Sequence, residues 1–298
     1  MRIGVAILPE RRWKESAHRW RTADELGYDS AWTYDHLSWR SLRDSAWFST
    51  FPVLTAAACV TSRITLGTLV TSPNFRHPVT VAKDAIAVDD VSHGRFVLGV
   101  GAGSVGAGDS SVIDPEPLTR RARTERFEEF VHLTDRLLRD PVTTHTGEHF
   151  SAYEARMIPG CVQRPRLPLA IAATGPRGLA LAARHGQAWV SVGPADWGRG
   201  FTPEECLDAV ASQVTALRTA CDRLGRDPDE LDRIFVSTDP AGPFLTSPDS
   251  FLALAERYAA AGITHLVLHW PRDHGVYAAD PDILHRIAES ALPAAREL

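Results

Sequence analysis

The sequence predicts a (β/α)8 barrel, a TIM barrel formed as one domain over residues 1–298, on three observations. Eight short β-rich runs alternate with eight helical patterns along the chain. The β-rich runs are near-continuous in apolar residues, as strands covered on both faces are. The first run is followed by Leu8-Pro9-Glu10-Arg11, not by the glycine-rich turn that usually opens a doubly wound open sheet. That open sheet is the alternative architecture. No internal repeat or low-complexity segment interrupts the alternation.

Strand one is read over Arg2–Leu8, and Trp13, Ala17, Trp20 and Ala23 mark one face of the helix after it. Strand two is Ser30–Tyr34, followed by a helix over Pro52–Ser62. Strand three is Ile64–Val70 and its helix Val79–Val91. Strand four, Arg95–Val100, contains the run Phe-Val-Leu-Gly-Val. The Gly/Ser/Asp/Pro-rich stretch Gly101–Leu118 has no periodicity. At the end of a barrel strand it reads as a lid over the site or as a plain surface loop. A long helix follows over Thr119–Arg139. Pro141–Pro168 holds a small hairpin turning at Gly147-Glu148, outside the barrel. Strand five is Pro168–Ala172, with a helix from Pro176. Strand six is Ala188–Val192. The next helix begins with Thr202 as cap, Pro203 in its first turn and Glu205 to complete a capping box. Strand seven is Arg233–Ser237, with Ser247-Pro248 opening its helix. Strand eight is Thr264–Leu268, and Pro281–Leu292 is the last helix.

Composition narrows the function classes. The formal net charge is -5, and a sequence pI near 6.2 gives no reason to expect a nucleic-acid or membrane partner. No stretch approaches the roughly 20 apolar residues of a membrane span. The N-terminal run is too short for a secretory signal. The basic run Arg120, Arg121, Arg123 alternates with Glu125, Glu128 and Glu129, as a solvated helix face does. Cys59, Cys161, Cys206 and Cys221 have no CxxC spacing. Cys206 and Cys221 share one helix and lie about 22 Å apart at 1.5 Å per residue, too far to bridge. Free thiols and a cytoplasmic location are expected. The 12 histidines form no metal-binding spacing, so no metal is expected.

In such a barrel the chemistry sits at the carboxyl ends of the strands. Strand two ends in Tyr34-Asp35-His36, where an acid and an imidazole can orient a ring and move a proton. Alternatively Asp35 caps a turn and His36 is an exposed loop residue. Strand three ends in Leu66-Gly-Thr-Leu-Val-Thr-Ser-Pro73, then Arg76-His77-Pro78. Strand four ends in Gly99-Val-Gly-Ala-Gly103, whose glycines let backbone approach a planar ligand. After strand five, Thr174-Gly-Pro-Arg-Gly178 enters a helix whose free N–H groups suit a phosphate, with Thr174 adding a hydroxyl and Arg177 a charged donor. His269 with Trp270 ends strand eight and reads as pocket wall.

Taken together, these four strand ends resemble the luciferase-like flavin and deazaflavin oxidoreductases along essentially the whole chain. The resemblance implies a barrel enzyme binding coenzyme F-420, or alternatively FMN. The ring would lie across the strand ends, and the phosphate at Thr174, Gly175, Pro176, Arg177 and Gly178. It implies a cis peptide at Leu69-Val70 supporting the ring, with Asp35, Thr71, Gly101 and Gly103 also at the cofactor. Asp35-His36-Leu37 resembles the deazaflavin-dependent branch, where the histidine lies at the reacting face, so His36 is the expected catalytic residue.

The expected reaction is hydride transfer between F-420 and a small organic substrate. The alternatives are a two-component monooxygenase fed with reduced FMN by a separate reductase, and a non-catalytic flavin-binding barrel. A homodimer is expected from the family's habit of pairing through helices flanking strands two to four. Sugar-phosphate dehydrogenases of this branch carry Glu after the strand-four glycines. This chain has Ser104, which argues against a sugar-phosphate substrate. Where many members have Asp-Gly entering strand six, it has Gln187-Ala188.

Overall fold

A computed structural model describes residues 1–298 apart from 104–109, 114–115, 117, 196–199 and 239–241. Eight parallel strands close into a barrel. They are β1 (Arg2–Ala6), β2 (Ser30–Thr33), β3 (Thr65–Thr68), β4 (Phe96–Gly101), β7 (Leu169–Ala172), β8 (Ala188–Ser191), β9 (Asp232–Val236) and β10 (His265–His269). The ring closes where β1 pairs with β10, from Arg2 opposite His265 to Ala6 opposite His269. Strands β5 (Val142–Thr146) and β6 (Ser151–Arg156) form the expected antiparallel hairpin outside it. Half of the stretch read as a lid, Gly101–Leu118, lies outside the described residues, and Ser104 is in that half. Within it, a four-residue helix α4 (Ser110–Ile113) carries the exposed Val112 and Ile113.

The shell consists of α1 (Trp13–Glu25), α2 (Thr50–Val60), α3 (Pro78–Val91), α5 (Arg120–Arg139), α6 (Pro176–His185), α7 (Pro203–Asp222), α8 (Pro248–Ala260) and α9 (Ile283–Ser290). The capping box at Thr202 and Glu205 forms as expected, with Pro203 in the first turn of α7. The last helix does not run through Leu292. It breaks at Ala291 (φ -120°, ψ -26°) and resumes as α10 (Leu292–Arg296).

Two apolar clusters divide the barrel. The outer one lies between strands and helices, around Trp20, Phe96, Phe130, Trp189, Phe235 and Phe251. The inner one fills the lumen with Ala6, Trp32, Leu69, Ala170, Ala188, Val190, Ile234, Val236 and Val267. One large ring, Trp32, is matched to one missing side chain. A Cβ on Gly67 would be driven into the indole, so lumen volume is balanced strand against strand. Below it, Ser30 Oγ accepts from Trp32 Nε1 at 2.6 Å and lies 2.8 Å from His265 Nε2. His265 is buried, and desolvation pushes its pKa down to about 3. The barrel floor is therefore sealed by a neutral polar chain with each member bonded.

Candidate active site

The mouth is built by the segments that leave β2, β3, β4, β7 and β10. The exit of β2 is pinned first, because Thr50 Oγ1 at the start of α2 donates to the Tyr34 carbonyl at 2.7 Å. Asp35 follows and is 1% exposed. Its carboxylate accepts from Arg76 Nε at 3.1 Å and Nη2 at 2.7 Å, a bidentate pair linking the β2 and β3 exits. The Arg76 guanidinium also lies over the Phe51 and Phe75 rings. Asp35 is thus engaged by Arg76, and the pair holds the two exits in register. His36 comes next and is half-buried, with Tyr34 and Trp47 at ring-centre distances of 5.9 and 6.2 Å.

The Leu69-Val70 peptide is cis, as the resemblance implied. Thr71 is fully buried and bridges to Val100. The strand-four glycines pack closely against this bend. A Cβ on Gly101 would enter the Val70 side chain, and one on Gly103 the Asn74 amide. Gly103 also has φ +72°, a conformation costly for other residues. Arg126 Nη2 on α5 donates to Asn74 Oδ1 at 2.6 Å and fixes the same loop. Gly101 and Gly103 therefore let the β4 exit approach Val70 and Asn74 closely.

After β7, Trp189 Nε1 donates to the Ala173 carbonyl and sets the loop. Thr174 is half-buried, Gly175 caps α6 and Pro176 fills its first position. The first-turn N–H groups of Arg177 and Gly178 have no acceptor within the helix. The space where a Gly175 Cβ would sit is open, and Gly178 packs against Ala173. That cradle fits a phosphate through backbone donors. Arg177 is paired with α5, where Glu128 accepts from its Nε at 2.7 Å and Nη2 at 2.5 Å.

Several residues at the mouth carried little signal in the sequence. Tyr34 Oη lies 2.7 Å from His269 Nε2. His269 is 1% exposed and desolvation pushes its pKa down to about 3, against a hydrogen bond to the Ser237 backbone that favours the protonated ring. A bond of that kind is one the ring donates, so Nε2 is left to accept the Tyr34 proton. His269 is therefore a buried neutral support and not an open pocket wall. The Tyr277 ring covers it, with centres 3.5 Å apart and planes within 5°. Trp39 stacks near Trp47 and Tyr277 at 6.3 and 6.0 Å. Tyr34 and His269 were legible as strand ends, whereas Trp39, Trp47 and Tyr277 carried no signal beyond the aromatic residues within Trp39–Phe48.

The described residues hold no group of His, Cys, Asp or Glu able to bind a metal ion. No helix among them is long and apolar enough to cross a membrane.

Comparison with known proteins gives the family and agrees with the fold. Residues 1–238 match the luciferase-like monooxygenase family. A 4-hydroxyprotoasukamycin monooxygenase from Streptomyces nodosus subsp. asukaensis is 34% identical over 217 residues, which cover 70% of this chain and 54% of that protein. An F-420-dependent glucose-6-phosphate dehydrogenase from Beutenbergia cavernae is 29% identical over 92% of this chain and 91% of its own. In three dimensions, an F-420-dependent secondary alcohol dehydrogenase solved with an F-420–acetone adduct superposes with a TM-score of 0.82. It covers 99% of both chains at 18% identity, a likeness of fold.

Proposed function

We propose, for a chain that belongs to the luciferase-like monooxygenase family, a reaction that transfers hydride between coenzyme F-420 and a small organic substrate. The observation that carries this reading is the relative aligned along nearly the whole of both chains, which depends on F-420. The residues present fit the group. The α6 N-terminus offers backbone donors to a phosphate, and the bend at Leu69, Val70 and Thr71 stands at the β3 exit, next in the barrel to the β2 exit that carries His36. Bound there, F-420 supplies or accepts a hydride. The protein's part is to hold the substrate carbon in place and to exchange the accompanying proton through His36. Asp35 and Arg76 keep the β2 and β3 exits fixed while it does so. The enzyme acts in the cytoplasm as a homodimer through α2 and α3, and a monomer mass by light scattering at micromolar concentration overturns the dimer.

Titration with F-420 and FMN, read by ring fluorescence, tests the cofactor. Tight F-420 binding is expected, with His36→Ala lowering turnover about 100-fold or more and leaving F-420 affinity nearly unchanged. Tight FMN binding without F-420 binding overturns the reading. It favours a monooxygenase supplied with reduced FMN by a separate reductase, the second reading, which the Streptomyces relative supports.

A further inference from the structure

The mouth has a second side, opposite the α6 cradle in the order of strands. It is formed by the segment after β2 (37–49) and the segment after β10 (270–279). Trp39 is the hub of this side, within 5.6–6.3 Å of the Tyr34, Trp47 and Tyr277 ring centres. Trp47 and Tyr277 are half-buried, and Leu37 and Phe48 are exposed beside them at 40% and 37%.

This wall is held rigidly from behind. Tyr277 stacks on His269, which is fixed by Tyr34 and by the Ser237 backbone. Arg272 donates to both Glu10 carboxylate oxygens, at 3.2 and 2.9 Å, and to the His274 and Val276 carbonyls, both at 3.1 Å. The tyrosine-bearing loop is thereby tied to the β1 exit. The 37–49 segment is tied to the same exit where Phe48 N–H donates to the Pro9 carbonyl at 2.7 Å.

Three ion pairs lie on this side, Glu10 with Arg272, Arg11 with Asp273, and Asp35 with Arg76. The Arg40 guanidinium lies 5.9 Å from the Trp39 ring centre and belongs to the cluster. Arg43 and Asp44 are exposed on the same segment, adjacent in sequence and opposite in charge. The wall itself is ring surface. A rigid aromatic surface favours an uncharged, flat, apolar partner, because ring faces add stacking to burial and no ordering remains to be done on binding.

We propose that Trp39, Trp47 and Tyr277 form the substrate wall and select an uncharged aromatic substrate over a phosphorylated one. The proposal rests on the hydride-transfer reading for its reaction, and the wall itself is testable by binding alone. The probes are 2-acetylnaphthalene, its saturated analogue decahydronaphthyl methyl ketone, and glucose 6-phosphate, titrated calorimetrically into the full chain with and without F-420. The aryl ketone is expected to bind at least 10-fold more tightly than the sugar phosphate and several-fold more tightly than the saturated ketone. Tyr277→Leu and Trp47→Leu are each expected to weaken the aryl ketone about 10-fold, with Trp47→Phe restoring most of the affinity. A thermal melt shows each variant folded. Equal affinity for glucose 6-phosphate, or aryl-ketone affinity unmoved in both leucine variants, overturns the wall. If F-420 does not bind while the aryl-ketone pattern holds, the hydride-transfer reading fails and the wall stands. If F-420 binds and the pattern is absent, the reverse follows.

Discussion

One strand, β10, carries two buried histidines four residues apart, and they serve different ends of the barrel. His265 lies at the floor, bonded to Ser30, which in turn takes the Trp32 indole N–H. His269 lies under the mouth, bonded to Tyr34 and covered by Tyr277. Both are almost wholly buried and both are held neutral, with pKa near 3, by the same cause, desolvation. The difference is in what each partner reaches next. The floor chain ends in the packed lumen, so its energy goes into stability. The mouth chain ends in the half-buried rings of Tyr277 and Trp47, at the accessible end of the barrel. Equal burial and equal ionisation do not make equal roles; the neighbours decide.

The largest effect expected is acid loss of stability, and it tests what the two histidines share. An unfolded histidine titrates near 6.5, whereas each of these stays neutral down to about 3. Below about pH 6.5 the unfolded chain takes up protons that the folded chain refuses, so stability falls as pH falls. The slope approaches about 1.4 kcal/mol per pH unit for each histidine until the folded groups protonate near 3. Urea melts between pH 7 and 4 measure it, and His265→Gln removes one histidine's share. A pH-independent stability over that window breaks the comparison at its root.

Smaller and more selective is Ser30→Ala. It strips two buried partners at once, the Trp32 indole and His265, at a cost of about 2–4 kcal/mol. The loss is expected in chemical melts, with turnover per folded molecule unchanged. A fall in turnover without loss of stability assigns the floor a part in catalysis and erases the distinction. Smallest in stability is Tyr34→Phe, which removes one hydroxyl and leaves the ring, at about 1–2 kcal/mol. Its larger mark is expected in substrate KM, because Tyr277 loses a fixed support. Unaltered KM in a folded Tyr34→Phe variant makes the two ends equivalent after all.

The alternation of apolar runs and helical periods placed all eight barrel strands to within about two residues, since local pattern and local structure share a period. The hairpin turn at Gly147-Glu148 and the Thr202 capping box were also local, and both stand. The last helix broke at Ala291 because Pro293 has no N–H to give the Glu289 carbonyl, and the proline sits instead in the first turn of α10. At the mouth the motifs located the segments, and the structure adds partners that no local pattern shows. Asp35 is paired with Arg76, 41 residues on. Arg177, read as a charged donor, meets Glu128 on α5, 49 residues away in sequence. Gly101 and Gly103 pack against Val70 and Asn74.

What the sequence determined by itself is the architecture and the set of segments that meet at the mouth. Strand periodicity, helix caps and turn residues are encoded within a few positions and need no distant partner. The family motifs added the F-420 branch, the α6 cradle and the cis bond at Leu69-Val70. What only the tertiary structure decided is which polar groups neutralise one another and which remain to meet a ligand. Tyr34 and His269 are 235 residues apart, and only barrel closure puts β10 beside β1 and one strand from β2. Ion pairing, desolvation and ring stacking act over a few ångströms of space, whatever the separation along the chain. A pattern read along the chain cannot see them until the fold brings the partners together.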